Sequence, residues 1–551
     1  MSDPDLLIVG AGPVGMTAAV VLGQWGARFR IVDKKPGPVE WSQAAGIQTR
    51  TLEVLHALGL VDRFLEVGNL LKTVTIHAFG QKLPPLGFDH VASPYAGVLS
   101  CPQDQTERLL LERLGELGVV VERPIEATDV RQDPDGVTVS LRHADGHVEE
   151  VRARYLIGCE GASSLTRKKA GIAFAGERYE GHVFLQADAT LRWTYPPGAQ
   201  IFLQSGLILV VIPYNDRGRH RIIAGIPDPD PDNHEPPTLG EVEALVRRGA
   251  DERATLSDPI WLNRFRGQHR VVDRFREGRC FIAGDAGHVH LPVGGQGMNT
   301  GMQDAFNLAW KLALVAGGRA KPELLETYNA ERHPVAEDLI RFTDGGFHTL
   351  IQPTTLRAWA IRHLGPVALS LDAVKDRMAR TVAEVDIAYH AGPLVEGHHR
   401  RGLASGRRAP DAVVVEAASL RPTRLFDLMR GPKWTLLLLD GSGEPDGLAR
   451  VAVAVEAAFG PLVESYLVIT DGSVPDAPPG VKSVLVDRHH VLHDKYGGGD
   501  RGLFLVRPDW YVGFQGGPGD GASLLRYLDG VLTRRAPQES QAGRGLPDVA
   551  E

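Results

Sequence analysis

Near the start of the chain, the pattern of apolar and polar residues changes from that of a strand to that of a helix and back again. Residues 5–9 form a short, largely apolar run, residues 14–24 have the composition of a helix, and residues 28–32 form a second run that ends at Asp33. Short apolar runs bounded by turn residues favour buried strands, whereas apolar residues three and four apart favour helices. The N-terminal pattern therefore predicts a strand, a helix and a second strand.

Further along, the same two periods predict a mixture of helices and strands. Helices are predicted at residues 51–58, 103–117 and most of 302–382. Strands are predicted at residues 73–100, 119–139, 149–157 and most of 184–270, with a turn at Asp133-Pro134-Asp135-Gly136. A Gly-, His- and Arg-rich passage at residues 390–408 is interpreted as a linker. Beyond it, strands at 434–440, 462–470 and 482–486, helical stretches such as 447–458, and a closing hairpin at 503–513 predict a separate α/β domain.

Three glycines separate the first predicted strand from the first helix. Gly10, Gly12 and Gly15 have the spacing that permits a tight turn, a close approach of the backbone to a pyrophosphate, and close helix packing. The start of the helix then offers free N–H groups to the anion. Asp33 follows Gly15 by eighteen residues, where its carboxylate can accept a hydrogen bond from a ribose hydroxyl. The segment predicts a dinucleotide site.

A second glycine-rich segment lies in the middle of the chain. It begins with Gly284-Asp285-Ala286-Gly287-His288, continues through a loop at residues 292–301, and ends in helix-forming residues up to Leu312. By itself this strand, loop and helix is compatible with any nucleotide. After the N-terminal glycines, it predicts a contact with a second part of the same long, polar cofactor.

Composition narrows the possible functions. The 551 residues carry a net charge of -8, which argues against a general nucleic-acid binder. The apolar stretch at residues 6–22 is interrupted by glycine and proline and lacks the features of a signal peptide, so we predict a cytoplasmic protein that does not span a membrane. The three cysteines, Cys101, Cys159 and Cys280, are too far apart for a Cys-x-x-Cys site. His288-x-His290 has a metal-compatible spacing but no accompanying ligand cluster, so no metal is predicted.

Taken together, these segments resemble the single-component, FAD-dependent aromatic hydroxylases, the group typified by 4-hydroxybenzoate hydroxylase and phenol hydroxylase. The resemblance covers about residues 1–345. It rests on Gly10-x-Gly12-x-x-Gly15, Cys159-Glu160-Gly161, the run from Gly278 to His288, the helix to Leu312, and residues 328–334.

The resemblance implies an α/β fold with a Rossmann-like FAD-binding domain, an inserted, mostly antiparallel β-sheet substrate domain, and a C-terminal thioredoxin-like α/β domain. The implied FAD-binding domain comprises residues 1–72, 101–180 and 271–345, and the substrate domain residues 73–100 and 181–270. A helical connector at 346–395, a thioredoxin-like domain at 396–535 and a disordered tail at 536–551 complete the division. Because no cysteine follows Cys280, thiol redox chemistry is not expected in the last domain.

Carried over residue by residue, the resemblance implies a set of FAD contacts. The glycines would contact the pyrophosphate, Asp33 the ribose, and Gln103 and Asp285 the ribityl chain. The full predicted cofactor site is Gly10, Gly12, Pro13, Gly15, Asp33, Lys34, Gln43, Arg50, Gln103, Glu160, Gly161, Asp285, Pro292, Gly295, Gln296, Gly297, Met298 and Asn299. Two of these residues depart from the family pattern, because Glu160 replaces an aspartate and Gln43 an arginine.

The implied activity is hydroxylation of a phenolic or related aromatic substrate with O₂, through a flavin C4a-hydroperoxide. NADPH or NADH would be a transient co-substrate, and a homodimer is the candidate assembly. Arg50 and Pro292 are predicted near the flavin, and Tyr214 and His220, in the strand-rich region, are candidate bases for the substrate.

Three alternatives remain at the level of sequence. Flavin-dependent halogenases share the implied fold, but none of the eight tryptophans makes the Trp-x-Trp pair of the usual tryptophan-halogenase motif. The same flavin chemistry could give epoxidation, Baeyer-Villiger insertion or oxidative decarboxylation on an aromatic polyketide or antibiotic. From a different class, the chain could be a non-catalytic flavin-binding partner protein.

Overall fold

The computed structural model describes most of the chain. The described residues are 3–39, 44–179, 181–214, 218–228, 230–291, 295–350, 362–365, 367–368, 370–390, 392–397, 402–440, 446–470, 475–497 and 501–535. Gln43 and Pro292, both predicted site residues, and the predicted tail at 536–551 lie outside them.

A six-stranded sheet forms the centre of the N-terminal region. In spatial order its strands are Arg276–Glu277, Cys280–Ile282, Tyr155–Gly158, Leu6–Val9, Phe29–Val32 and Val121–Glu122. All neighbours are parallel except the first pair. Three distant segments of the chain therefore bring the carboxyl ends of their strands to one edge, where ligands bind in open α/β sheets.

Both faces of this sheet are covered, which explains why its strands are almost continuously apolar. Leu6 and Ile8 pack with the helices Pro13–Gln24, Gln103–Glu116 and Gly297–Ala316. Leu7 and Val9 pack on the other side, against a three-stranded sheet of Ile125–Asp133, Gly136–His143 and Val148–Ala153. The predicted turn at residues 133–136 is confirmed between the first two of these strands.

An eight-stranded sheet lies beside this unit. Its strands, in spatial order, are Thr255–Phe265, His182–Arg192, Arg219–Pro227, Leu207–Pro213, Ala199–Gln204, Thr73–Ala78 and Gln81–Lys82, with Leu86–Gly87 paired to Thr73–Ala78. The helix Leu239–Gly249 covers one face. Sequence reading missed this helix, although Thr238 and Glu241 form the reciprocal capping box that marks a helix start.

Two small sheets and several short helices connect these units. The sheets are Gly46–Gln48, Val98–Ser100 and Asn69–Leu71, and Phe174–Arg178, Gln268–Val272 and His288–Val289. The remaining helices of the described N-terminal region are Thr49–Ala57, Val61–Val67, Leu165–Lys169, Glu326–Leu350 and Asp372–Val382, with short 3-10 turns at Gly284–Ala286 and Pro322–Leu325. Within the described residues, no helix combines the length and apolar character needed to cross a membrane.

The C-terminal region contains a seven-stranded sheet. In spatial order its strands are Arg421–Arg424, Val413–Glu416, Ser483–Val486, Val463–Ile469, Trp434–Leu439, Gly502–Val506 and Val512–Gly516, accompanied by the helices Leu425–Met429, Asp446–Phe459, Val491–Gly497 and Gly521–Val531. The described part of the predicted linker is not loose, because Arg408 pairs in a β-bridge with Tyr511 and its guanidinium contacts Glu53. The protein is thus a mixed α/β molecule with several sheets.

Candidate functional site

The three N-terminal glycines serve two different purposes. Gly10 has φ +100°, and a Cβ there would lie 2.4 Å from the carbonyl oxygen of Cys159. A Cβ on Gly15 would lie 1.9 Å from the carbonyl oxygen of Gly10, whereas one on Gly12 would meet nothing within 4 Å. Gly10 and Gly15 are therefore required by the fold, while Gly12 faces open space at the start of the helix Pro13–Gln24, where an anion can bind.

Two side chains meet the glycine loop at the predicted adenosine end. Asp33 accepts hydrogen bonds from the backbone N–H of Ala11 at 2.6 Å and of Lys35 at 2.7 Å. Arg123 donates from Nη2 to the Ala11 carbonyl at 2.9 Å. Sequence reading missed Arg123. Its signal was its place after the strand Val121–Glu122, which lies next to the strand preceding Asp33. Lys34 is exposed.

Glu160 has its partners within the protein. Its Oε1 accepts from the backbone N–H and the hydroxyl of Thr166, at 2.8 and 2.6 Å, and its Oε2 accepts from the Ser164 hydroxyl at 2.7 Å. The additional methylene relative to aspartate lets this carboxylate reach the first turn of the helix Leu165–Lys169. The predicted contact of Glu160 and Gly161 with the cofactor stays a prediction.

Asp285 has a different environment. The flanking residues Gly284 and Ala286 are buried, yet the Asp285 side chain is exposed to open space, and burial within the surrounding protein raises its pKa. No hydrogen bond from Asp285 to another described residue is formed. An exposed carboxylate on a turn whose flanking residues are buried is suited to accept hydrogen bonds from ligand hydroxyls.

The turn that carries Asp285 is held from two sides. Asp304 accepts from the Gly284 backbone N–H at 3.2 Å, and Arg167 donates to the Ala286 carbonyl at 3.0 Å. Arg167 is buried, and its guanidinium carbon lies 4.1 Å from the centre of the Phe174 ring. Both contacts fix the backbone and leave the carboxylate of Asp285 available.

The loop at residues 295–299 leads into the helix Gly297–Ala316. The Asn299 side chain accepts from the Gln48 N–H at 2.9 Å and donates to the carbonyls of Gly46 and Gly295. Gln296 donates to the Thr381 carbonyl at 3.3 Å. These amides position the loop, and the first-turn N–H groups of the helix give it a positive end.

Arg50 and Gln103 contact other parts of the protein. Arg50 is buried, with Nη1 2.9 Å from Glu53, Nη2 2.7 Å from the Asp509 carbonyl, and its guanidinium 5.1 Å from the Tyr511 ring. Gln103 accepts from the Ala44 N–H at 3.3 Å and donates to Glu107 at 2.9 Å. The structure thus directs Arg50 toward the C-terminal region, and its predicted place beside the flavin stays a prediction.

A polar cluster lies on the face of the eight-stranded sheet opposite the helix Leu239–Gly249. Arg221 binds both oxygens of Asp188 at 2.7 Å, and the Tyr214 hydroxyl donates to the same carboxylate at 3.2 and 3.3 Å. Burial would lower the pKa of Arg221, but Asp188 and Tyr214 together outweigh this effect, and the pKa is raised. Phe184 and Ile208, on the same face, pack with Leu291 of the central segment, so this face is turned toward the glycine-rich loop.

His220 lies on the other face of that sheet. It is paired in register with Ala189, which packs in the cluster beneath the helix Leu239–Gly249, and its ring meets Trp193 edge-on at 6.0 Å. Burial lowers its pKa, and Nδ1 bonds to the Gly218 carbonyl at 2.8 Å. Since successive residues of a strand point to opposite faces, Arg221 and His220 cannot share one site. This placement argues against His220 as the base.

His288 makes a buried side-chain contact with the helix Gly297–Ala316. Its Nε2 lies 2.9 Å from Asp304. Among the residues that the structure describes, no group of three or more His, Cys, Asp or Glu side chains is arranged to hold a metal ion.

Comparison with known proteins agrees with this geometry. Residues 3–343 match the family model described as "FAD binding domain". The chain is 33% identical to 6-methylpretetramide 4-monooxygenase of Streptomyces rimosus, covering 98% of this chain and 96% of that protein. It is 30% identical to pentachlorophenol 4-monooxygenase of Sphingobium chlorophenolicum, covering 97% and 98%.

A solved structure extends the similarity to the whole fold. The anhydrotetracycline hydroxylase OxyS from Streptomyces rimosus superposes with a TM-score of 0.77 at 30% identity, covering 96% of this chain and 98% of that chain. With the glycine loop, the Asp285 turn and the covered parallel sheet in place, the chain belongs to the FAD-binding family of aromatic flavoprotein monooxygenases.

Proposed function

We propose that this monooxygenase hydroxylates a phenolic ring, with a fused-ring aromatic polyketide as the substrate class, and that NADPH or NADH supplies the electrons. The balanced reaction takes one substrate, O₂, NAD(P)H and a proton to the hydroxylated product, water and NAD(P)⁺. The relatives named above act, by their names, on a pretetramide, a chlorinated phenol and an anhydrotetracycline. Bound FAD would supply the redox chemistry, accepting a hydride and activating O₂.

The observation that carries the proposal is Asp285. It stands at the carboxyl-end edge of the parallel sheet, on a turn fixed by Asp304 and Arg167, with its own carboxylate facing open space. Gly12 faces open space at the other end of the site. A long cofactor with a pyrophosphate in its middle and a chain of hydroxyl groups farther along fits these two features, and FAD has both.

The face of the eight-stranded sheet that carries Arg221 would form the substrate wall. It offers apolar side chains, including Phe184, Ile208 and Val210, and one buried polar cluster. A large, flat aromatic molecule matches the apolar area, and the polar cluster can fix its orientation.

Arg221, Asp188 and Tyr214 would act on the phenol of the substrate. Hydrogen bonds donated by this cluster to the phenol oxygen would orient the ring and stabilise the phenolate, which is the more reactive form toward an electrophilic oxygen. Asp188 holds the guanidinium in one geometry through two hydrogen bonds. Tyr214, whose hydroxyl meets the same carboxylate, is the candidate to hold or relay the phenol proton.

The C-terminal region is proposed to be a thioredoxin-like domain without redox function. Two observations support it: the β-α-β unit Trp434–Leu439, Asp446–Phe459 and Val463–Ile469, and the following antiparallel hairpin and helix, Gly502–Val506, Val512–Gly516 and Gly521–Val531. The division into domains, the homodimer and the cytoplasmic location stay predictions from the sequence.

The test is a screen of phenols, aminophenols and aromatic polyketides for stimulated NAD(P)H oxidation by the FAD-loaded protein. Peroxide is measured in parallel, and product mass is determined. One added oxygen on an intact ring, with little peroxide, is the expected result. A ring-expanded or decarboxylated product would show that the enzyme catalyses another reaction of the same cofactor instead of hydroxylation. A lack of stimulation of NAD(P)H oxidation by every compound would contradict the proposal.

A further inference from the structure

A tight turn of the C-terminal region is buried and contacts residues of the N-terminal region. It consists of residues 507–511, between the strands Gly502–Val506 and Val512–Gly516, and this turn is hereafter called the C-terminal turn. Trp510 adopts φ +62°, in the left-handed region, and its ring stacks on Phe426 at 4.4 Å and meets His56 at 5.7 Å. Non-glycine residues adopt this conformation only where the surrounding structure imposes it. The turn is therefore held by its environment.

The charged side chains of this turn bind helices of the FAD-binding region. Arg507, fully buried, makes two hydrogen bonds to Glu331 of the helix Glu326–Leu350 and two to Asp509. Glu331 also accepts from Lys311 at 2.7 Å and from Asn307 at 2.8 Å, both on the helix Gly297–Ala316. Asn307 further contacts Asp509 at 3.2 Å. One buried cluster thus joins the turn to two helices.

The same two helices hold the turn that carries Asp285. Arg332, the neighbour of Glu331, bonds to Asp304 at 2.7 Å, and Asp304 in turn accepts from Gly284 and His288. Asp304 lies one helical turn before Asn307 and two before Lys311, on one side of the helix. The contacts of the C-terminal turn and the contacts of the Asp285 turn are therefore made by adjacent residues of the same two helices.

An aromatic contact adds a second connection between the two regions. The Tyr389 ring lies 4.3 Å from the Tyr511 ring, and its hydroxyl is 3.3 Å from Arg332. The Arg50 guanidinium lies 5.1 Å from the centre of the Tyr511 ring. Arg50, which the sequence predicts beside the flavin, is therefore part of this connection between the two regions.

We propose that the C-terminal turn is a positioning element for the cofactor: through Glu331 and Arg332 it fixes the helix Gly297–Ala316 and the Asp285 turn, so that FAD affinity depends on Arg507. The inference rests on the proposed function only in that the protein binds FAD. It gives the C-terminal region a role in cofactor binding that requires no redox-active cysteine.

The test measures the FAD dissociation constant of Arg507→Met, Arg507→Lys and the double variant Glu331→Gln/Arg507→Met, by flavin fluorescence at low temperature. Arg507→Met leaves Glu331 without its main partner, whereas the double variant removes both charges. Arg534→Met is the matched control, because it breaks the exposed pair of Arg534 with Asp529 in the same region. Hydrogen exchange of residues 281–291 in the cofactor-free protein provides a second measurement, with residues 125–133 as the internal reference.

We expect the FAD dissociation constant to rise roughly tenfold or more in Arg507→Met and less in Arg507→Lys and the double variant, with the control within about twofold. Exchange should accelerate at residues 281–291 and not at 125–133. The proposal is overturned by unchanged affinity in a folded Arg507→Met protein, by equal acceleration in both segments, or by failure of all three variants to fold, since each would limit Arg507 to a general role in stability. The parent protein could bind FAD while none of the tested phenols stimulates its oxidation of NAD(P)H. That result would contradict the proposed function and leave this inference intact.

Discussion

Asp304 and Arg332 form a fully buried ion pair, in which Arg332 Nε lies 2.7 Å from Asp304 Oδ1. Only 1% of the Asp304 side chain and none of the Arg332 side chain is exposed to solvent. The second oxygen of Asp304 accepts from the Gly284 N–H and from His288. One carboxylate therefore joins the helix Glu326–Leu350 to the turn that presents Asp285. Burial would raise the pKa of Asp304, but Arg332 and His288 reverse this and lower it.

Replacing Asp304 by alanine should destabilise the protein strongly. The change leaves Arg332 buried without its carboxylate, which costs about 3–5 kcal/mol. Asp529→Ala, which breaks an exposed pair, should cost about 0–1 kcal/mol. Urea unfolding of the cofactor-free proteins measures both free energies, and equal losses in the two variants would contradict the role of Asp304.

Two neighbouring glycines should respond differently to alanine. Gly12→Ala should fold with the melting temperature of the parent, because its Cβ meets no protein atom within 4 Å, but bind FAD more weakly. Gly15→Ala should lower the melting temperature of the cofactor-free protein, because its Cβ would lie 1.9 Å from the Gly10 carbonyl oxygen. Thermal unfolding and FAD titration of both variants distinguish an effect on stability from an effect on cofactor binding. A destabilised Gly12→Ala protein with normal FAD affinity would reverse the assignment.

Asp285→Asn should weaken FAD binding without weakening the fold. Burial raises the pKa of Asp285 and so disfavours its carboxylate, and no described residue compensates for that charge by a hydrogen bond. The neutral amide should leave the cofactor-free protein at least as stable as the parent at pH 7. The measurements are the melting temperature and the FAD dissociation constant, and a normal affinity would remove Asp285 from the site.

Glu384 should make stability depend on pH. Burial raises its pKa to about 8 from an ordinary value of 4.5, and Gln303 donates to its carboxyl group at 2.5 Å. The folded protein keeps this proton where the unfolded chain loses it, so stability falls as the pH rises from about 4.5 to 8, and the loss is complete above pH 8.

Glu384→Gln removes this titration and should be more stable than the parent at pH 9, by on the order of 1–4 kcal/mol, with the difference vanishing toward pH 4. Urea unfolding of both cofactor-free proteins at several pH values gives the comparison. Parallel pH profiles for the two would show that Glu384 does not titrate in this range.

Substitution of Tyr214 tests the proposed substrate wall, and substitution of His220, on the opposite face of the sheet, is the control. Tyr214→Phe should increase the share of NAD(P)H consumption that ends as peroxide, because the hydroxyl that contacts Asp188 is lost. His220→Gln should leave coupling unchanged, because His220 lies on the face beneath the helix Leu239–Gly249. Product and peroxide yields per NAD(P)H are the measurement. Unchanged coupling in Tyr214→Phe would exclude it from the reaction.

Several side-chain contacts could not be read from spacing. The bonds of Glu160 to Ser164 and Thr166 are one example, because side-chain length and the turn geometry decide what a carboxylate reaches. The predicted contact of Glu160 with the cofactor stays a prediction. The helix Leu239–Gly249 was missed although its capping signal is local. His220 and Arg221 are neighbours in the chain but lie on opposite faces of a sheet whose orientation depends on what covers it.

The sequence by itself determined the glycine loop, the strands of the parallel sheet and the place of Asp285, because turns, burial periods and strand ends depend on residues close together in the chain. Only the tertiary structure decided that Arg507 pairs with Glu331 across 176 positions, and that Arg50 reaches Asp509. A buried charge takes whichever partner the packed helices bring within hydrogen-bond distance, and no sequence interval specifies that distance.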